Sequence, residues 1–195
     1  MPMRDPVDIR LPASRKQLAS LAAGDTVALS GPVFTARDTT HARLVAELEA
    51  EERLPYGLAG QTLLYAGPTP AAAGRAVGSV GPTTARRMDS YTPALLEAGI
   101  VAMIGKGARG AAVIEACARL GAVYFAAVGG AAALLATHVR AAEIVAYPEL
   151  GTEALMRLEL DKFPVFVAID TAGHDLYSEA PEDWRGRAGA GVGER

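Results

Sequence analysis

The 195-residue sequence predicts an α/β fold with a largely parallel central sheet and additional mixed strands, on three observations. Between residues 95 and 146, apolar strand-like runs alternate with helical segments, and βαβ order sets successive strands parallel. A glycine-rich turn over 105–110 joins a strand to a helix within that alternation. Beyond residue 155, two more apolar runs separated by Asp161-Lys162-Phe163-Pro164 read as strands of a mixed sheet.

The elements follow in order. Residues 7–11 alternate apolar and polar as a strand does, and 14–21 form a short helical turn. A turn at Gly24-Asp25 feeds a strand through 31, and residues 30–38 read as a loop. From Asp38, in the N-cap place, His41, Leu44, Val45 and Leu48 recur at helical spacing, predicting a helix over 38–53. Glycine and proline punctuate residues 57–82 so densely that only 61–66 reads as a strand. Then come a helical piece through Leu95-Leu96, a strand at 100–104, a helix at 110–120, a strand at 122–128, a small-residue helix at 131–138 and a strand at 143–146. Pro93 either restarts a helix behind Thr92 or kinks one that continues from Met88. After the strands at 156–160 and 165–170, a turn at 171–175 leads to a last extended piece. Residues 1–180 read as one domain and 181–195 as a flexible glycine-rich tail.

Composition excludes several function classes. Half of the residues are apolar, 21% are charged and no apolar run is long enough for a membrane span. The net charge of −3, with arginines scattered among acids, gives no footprint for nucleic acid. The single cysteine, Cys117, forms no internal disulfide and holds no metal or cluster alone; its helical spacing with Val113 and Leu120 makes it a small core residue. The N-terminus lacks the apolar core of a secretory signal, so a cytoplasmic protein is expected.

Gly105-Lys106-Gly107-Ala108-Arg109-Gly110 matches G-x-G-x-x-G between a strand and a helix, the setting of a dinucleotide fingerprint. The acid needed near the end of the next strand is missing, because that strand ends Ala127-Val128-Gly129-Gly130. A tight strand-to-helix turn is the plainer reading. Lys106 still lies at the carboxyl end of a parallel strand, where open α/β sheets bind ligands.

Three element boundaries carry groups suited to an anion. Arg37 precedes a helix start, Lys106 follows a strand, and Gly81-Pro82-Thr83-Thr84-Ala85-Arg86-Arg87 sets two hydroxyls and two guanidiniums behind a turn. Guanidinium forks, ammonium groups and hydroxyls are what bind carboxylates. Each residue alone is as well explained by solvent or an ion pair, and Thr83 and Thr84 by helix capping. His41 lies on an apolar helix face, as a hydrogen-bonded core histidine would; His138 and His174 show no metal or catalytic spacing.

Taken in order, GPVFTARDTTH (31–41), GPTTARRMDSY (81–91), IGKGARG (104–110), GAVYFAAVGGAAALLA (121–136) and YPELGTEALMRLELDKFPVFVAIDTAGHDLY (147–177) resemble the β subunit of the iron-sulfur hydro-lyases. That family holds the two-subunit class I fumarases and the L(+)-tartrate dehydratases, and the chain resembles their C-terminal half over roughly residues 5–178. The resemblance implies a swivelling β/β/α domain that closes over a partner domain or subunit. It implies that this partner, an α subunit in an αβ or α2β2 assembly, carries a 4Fe-4S cluster on three cysteines with one iron open as a Lewis acid. By the same resemblance Thr83 is the catalytic base at the substrate carbon, helped by Thr84, while Arg37, Arg87 and Lys106 hold the carboxylates of a C4 or C5 dicarboxylate. The implied reaction is hydration of fumarate to L-malate; L(+)-tartrate dehydration and mesaconate hydration stand as alternatives. Many fumarases of the family carry Gly where Arg86 stands, so a third guanidinium enters this loop. The alternative from another class is a stand-alone anion- or nucleotide-binding module.

Overall fold

The computed structural model describes residues 5–181. Its elements are β1 (Val7–Arg10), α1 (Arg15–Ala19), β2 (Thr26–Thr35), α2 (Asp38–Glu51), β3 (Thr62–Leu64), α3 (Thr92–Glu97), β4 (Ala102–Gly105), α4 (Ala111–Leu120), β5 (Val123–Ala126), α5 (Ala132–Ala136), β6 (Val139–Ala146) and β7 (Leu155–Ile169). Short 3-10 helices cover Ala85–Met88 and Pro148–Glu153. None of the described helices is long and apolar enough to cross a membrane.

The strands lie in the order β1-β2-β3-β4-β5-β7-β6, and β2 also pairs with β7. That extra pairing closes β2, β3, β4, β5 and β7 into a barrel, with β1 and β6 attached outside. Neighbours from β1 to β5 are parallel, while β7 runs antiparallel to β2, β5 and β6. The parallel core with mixed strands is therefore as expected, but closure depends on a contact between residues more than a hundred positions apart, such as Thr35 and Met156.

Alternation along each strand sorts the core into two layers. Leu64, Ala102, Ile104, Val123 and Phe125 point into one cluster with Val27, Leu29 and Phe163, which fills the barrel. Leu63, Tyr65, Met103 and Tyr124 point the other way, onto Leu44, Leu95, Val113 and Cys117 of the helices. Each large side chain buried so completely contributes roughly 1.5–3 kcal/mol. Cys117 is thus packed in the core as its helical spacing predicted, and burial pushes its thiol up to about 12.

Four local readings need correction. β2 runs on to Thr35 through a segment read as loop; Gly31 allows this at a register shift, with φ 113° and a position where a Cβ would stand 2.5 Å from Leu11 O. Pro32 is tolerated because β1 stops pairing at Ser30 and β3 starts at Phe34, leaving β2 a ladder on one side. The two strands beyond 155 are one, β7. Lys162 turns through a left-handed φ of 52° and donates its N–H to Ser30 Oγ at 2.9 Å, so the turn-like residues bend the strand without ending it. α5 ends at Ala136, and β6 begins at Val139 instead of 143 because it pairs with β7 along that length. Residues 176–181 are helical rather than extended. The remaining tail prediction, 182–195, lies outside the described residues. Pro93 restarts a helix: it sits in the first turn of α3, with Tyr91 at the N-cap place and Thr92 already inside.

Candidate active site at the carboxyl edge of the parallel strands

Because β2, β3, β4 and β5 are parallel, their carboxyl ends, at Thr35, Leu64, Gly105 and Ala126, share one edge of the barrel. The loops that leave this edge carry Arg37, Thr83 to Arg87, Lys106 and Gly129. This is the edge where α/β sheets collect ligands.

Backbone bonds wedge the threonine loop between β3 and β4. Thr83 N–H donates to Tyr65 O (2.6 Å), Lys106 N–H to Thr83 O (3.1 Å) and Ala85 N–H to Lys106 O (2.9 Å). Thr84 and Lys106 thereby form a one-residue parallel bridge, which brings Thr83, Thr84 and Lys106 together. Thr84 occupies the N-cap place of the 3-10 helix, yet its side chain makes no capping bond, so the capping reading does not explain it. The Lys106 side chain is exposed and lies over Gly129, where a Cβ would come within 2.9 Å of its Cδ.

The two flanking arginines meet on one carboxylate. Arg87 Nη2 is 3.1 Å from Asp38 Oδ2, and Arg37 Nη2 lies 3.9 Å from the same oxygen and 3.4 Å from Glu153 Oε1. Asp38 is therefore the first residue of α2, facing the arginines, and Arg37 holds the N-cap place that the sequence assigned to Asp38. Glu153 also anchors the helix start, accepting from Thr39 N–H at 3.0 Å and, through its carbonyl, from Thr40 Oγ1. The Arg37 side chain lies on Gly67; a Cβ there would be 3.1 Å from Cδ and 2.8 Å from Thr152 O. Partly exposed pairs of this kind are worth about 0–1 kcal/mol each, so an incoming carboxylate can replace them at little cost. Arg86 is exposed, and no contact explains its place in the loop.

A buried layer that the sequence did not reveal lies beneath the threonine and lysine loops. Arg109 Nε donates to Asp89 Oδ1 (2.7 Å), Arg109 Nη2 to Thr92 Oγ1 (2.7 Å), and Gly110 N–H to Asp89 Oδ2 (2.7 Å). The guanidinium sits 5.3 Å from the Tyr65 ring centre and 4.8 Å from that of Tyr124. Burial opposes its charge, but Tyr65, the Asp89 bond and charge, and Tyr124 outweigh this and hold Arg109 above its ordinary range. The same bonds explain the glycine motif. A Cβ on Gly105 would be 2.9 Å from Ala85 Cβ, Gly107 has φ 87°, and the Gly110 N–H that opens α4 is already taken by Asp89. A signal was present in the pairing of one acid after the threonine loop with one arginine before an apolar helix.

His41 is fully buried, with Nδ1 2.9 Å from Arg37 O and its ring edge-on to Tyr65, as a core histidine should be. Desolvation outweighs the bond to Arg37 and lowers it to about 4, so the ring is neutral and Nδ1 is the donor. His138 bonds Asp161 O, and His174 pairs with Asp170 at 2.9 Å, away from the threonine loop in sequence and bonding. Among the described residues no group of three His, Cys, Asp or Glu side chains could hold a metal ion.

Residues 3–180 match the family described as Fumarase C-terminus. The chain is 37% identical to the aerobic class I fumarate hydratase of Salmonella typhimurium over 93% of its own length and 32% of that protein's. It is 36% identical to the putative L(+)-tartrate dehydratase subunit beta of Methanocaldococcus jannaschii, covering 85% of this chain and 88% of that one. For the L(+)-tartrate dehydratase subunit beta of Escherichia coli the identity is 35%, with coverage of 86% and 85%. The chain thus spans about a third of the fumarate hydratases and nearly the whole of the tartrate dehydratase β subunits, relatives that are all hydro-lyases by name. A match of this extent, together with the loops gathered at one barrel edge, shows that the chain belongs to the Fumarase C-terminus family.

Proposed function

We propose that this chain is the β subunit of a cytoplasmic hydro-lyase that adds water reversibly to fumarate, forming L-malate in an active site shared with a partner α subunit. The observation that carries the reading is the convergence of Arg37, Thr83, Thr84, Arg87 and Lys106 on one edge of the barrel. Arg37, Arg87 and Lys106 supply cations for two carboxylates, and Thr84 a hydroxyl. Thr83 takes the proton from the substrate carbon in the dehydration direction and returns it in hydration. Removing a proton next to a carboxylate builds charge on that carboxylate, so cations fixed at its oxygens favour the transition state over the ground state. A threonine acts as base only where a nearby cation and exclusion of water lower its hydroxyl's pKa. The bridge to Lys106 supports the first condition, and a partner closing over the exposed loops would supply the second.

Several features support a shared site. Thr84, Arg87 and Lys106 are exposed, and the rim beside them is apolar, with Val128 55% and Leu134 60% exposed. The β-subunit relatives match this chain nearly end to end. Cys117 is buried in the core and no three His, Cys, Asp or Glu side chains group together among the described residues, which supports a 4Fe-4S cluster carried by the partner. Held there, the cluster would supply Lewis-acid binding of the hydroxyl that leaves or adds. The domain is proposed to swivel over that partner during turnover.

L(+)-tartrate dehydration is the second reading, favoured by the near-complete coverage of the tartrate dehydratase β subunits. Co-expression with a cluster-bearing α subunit and anaerobic assay separates the two. Fumarate–malate exchange is expected; tartrate turnover without it selects the second reading, and neither activity overturns both.

A further inference from the structure

Arg109 has no place in the hydro-lyase chemistry proposed above, yet its guanidinium is buried between two tyrosine rings and bonded through Nε and Nη2, with Nη1 left without a partner. Its side chain is 0% exposed, and burying a guanidinium is costly unless its charge and N–H groups are matched. Its bonds run to both loops of the site. Asp89 lies two residues after Arg87, and Arg109 three residues after Lys106. The Asp89 carboxylate grips the second loop twice, through Arg109 Nε and Gly110 N–H, each at 2.7 Å. Thr92 Oγ1 accepts from Arg109 Nη2 at 2.7 Å and donates to Met88 O at 2.8 Å, so the guanidinium is tied to the end of the 3-10 helix that carries Arg87. Tyr65, just after β3, and Tyr124, within β5, cover it with their rings, and Tyr124 OH donates to Gly107 O at 2.9 Å. Tyr177 OH in turn accepts from Gly107 N–H at 3.2 Å, so the backbone N–H and C=O of Gly107, the residue after Lys106, are both held.

We infer that Arg109, through Asp89 and Thr92, is a positioning residue that fixes the separation of the Thr83–Arg87 loop from the Lys106 loop, and so sets where the two carboxylates of the substrate are held. The inference rests on the hydro-lyase reading of the same site. Arg109 touches no substrate in this account; it acts through the backbones on either side. A planar fork satisfies two acceptors in fixed directions, which a lysine cannot do.

The test uses the assembled enzyme with Arg109→Lys, Asp89→Asn and Thr92→Val, each assayed well below its melting temperature. Two readouts are taken: KM and kcat for the dicarboxylate, and amide hydrogen exchange over 81–88 and 105–108. A purely structural role lowers the folded fraction, which scales kcat and leaves KM unchanged. Positioning predicts a KM raised roughly tenfold or more in Arg109→Lys, because a misplacement near 1 Å costs up to about 100-fold. It also predicts faster exchange in both loops, and the same changes to a smaller degree in Thr92→Val, which keeps volume and deletes one acceptor. KM within about twofold of wild type in all three variants, with unchanged exchange, overturns the inference. Should wild type itself turn over no dicarboxylate, the hydro-lyase reading fails separately. Exchange then decides the inference alone: acceleration in both loops upholds it, and unchanged exchange overturns it.

Discussion

Arg37 and Arg87 at the rim and Arg109 beneath it belong to the same loop system and are held in opposite ways. The rim side chains are 27% and 49% exposed and reach their carboxylates at 3.1 to 3.9 Å, whereas Arg109 is fully enclosed and bonded at 2.7 Å. Loose, partly exposed pairs exchange readily for an incoming anion, and a buried, closely bonded charge does not. The contrast separates two duties that residue type alone merges. On the proposed reading, the cations offered to the ligand are only partly paired, and the one inferred to position the loops is buried and bonded.

The sharpest way to break that contrast is to remove the buried partner. Asp89→Ala strands the Arg109 charge and should cost about 3–5 kcal/mol in denaturant unfolding, the usual consequence of breaking a buried pair. A loss no greater than that of an exposed pair would erase the distinction. Arg87→Met should do the reverse: turnover of the assembled enzyme falls at least about 100-fold, while the unfolding midpoint stays within about 0.5 kcal/mol of wild type.

His41, which lies against Tyr65 and bonds the Arg37 carbonyl, sharpens the comparison through pH. Its pKa falls from 6.5 to about 4 on folding, so protons favour the unfolded chain. Stability linked to this ring is complete above about pH 6.5 and is lost as pH falls toward 4, the loss reaching about 2 kcal/mol at pH 5. Unfolding curves at pH 7 and 5 should show that slope in wild type and lack it in His41→Gln.

The smallest effect is expected at Asp170 and His174. Burial raises Asp170, but bonds from His174 and from the amides of Ala23 and Ala172 outweigh it and lower the carboxyl. The bond to Asp170 raises His174. The carboxylate contributes above its ordinary 3.8 and the imidazolium below its ordinary 6.5, so the pair stabilises most between these values. His174→Gln should lower the unfolding midpoint at pH 5 and leave it unchanged at pH 9.

Much of this architecture was legible in local pattern. Strand and helix alternation from 95 to 146 marks the parallel core, and the spacing of His41, Leu44 and Leu48 marks α2. Barrel closure was not legible, because it depends on β2 meeting β7 across the chain, and β7 itself was hidden by Asp161-Lys162-Phe163-Pro164, residues that normally end strands. At the site, the same distinction holds. Arg37, Thr83, Thr84, Arg87 and Lys106 stand out in the sequence as anion-binding residue types at element boundaries, and their separate roles come from the family resemblance. Asp38 was read as a cap, and Arg109 was concealed inside a glycine motif that suggests phosphate binding; the bonds that redefine both are made to residues distant in sequence or across a turn.

Whether these five rim groups form half of an active site is decided by assaying fumarate–malate exchange without oxygen on this chain alone, on a cluster-bearing partner alone, and on the two combined. Activity only in the combined sample, rising with added chain until the subunits are equimolar, is the predicted result. Full exchange by the partner alone, or by this chain alone, would contradict it.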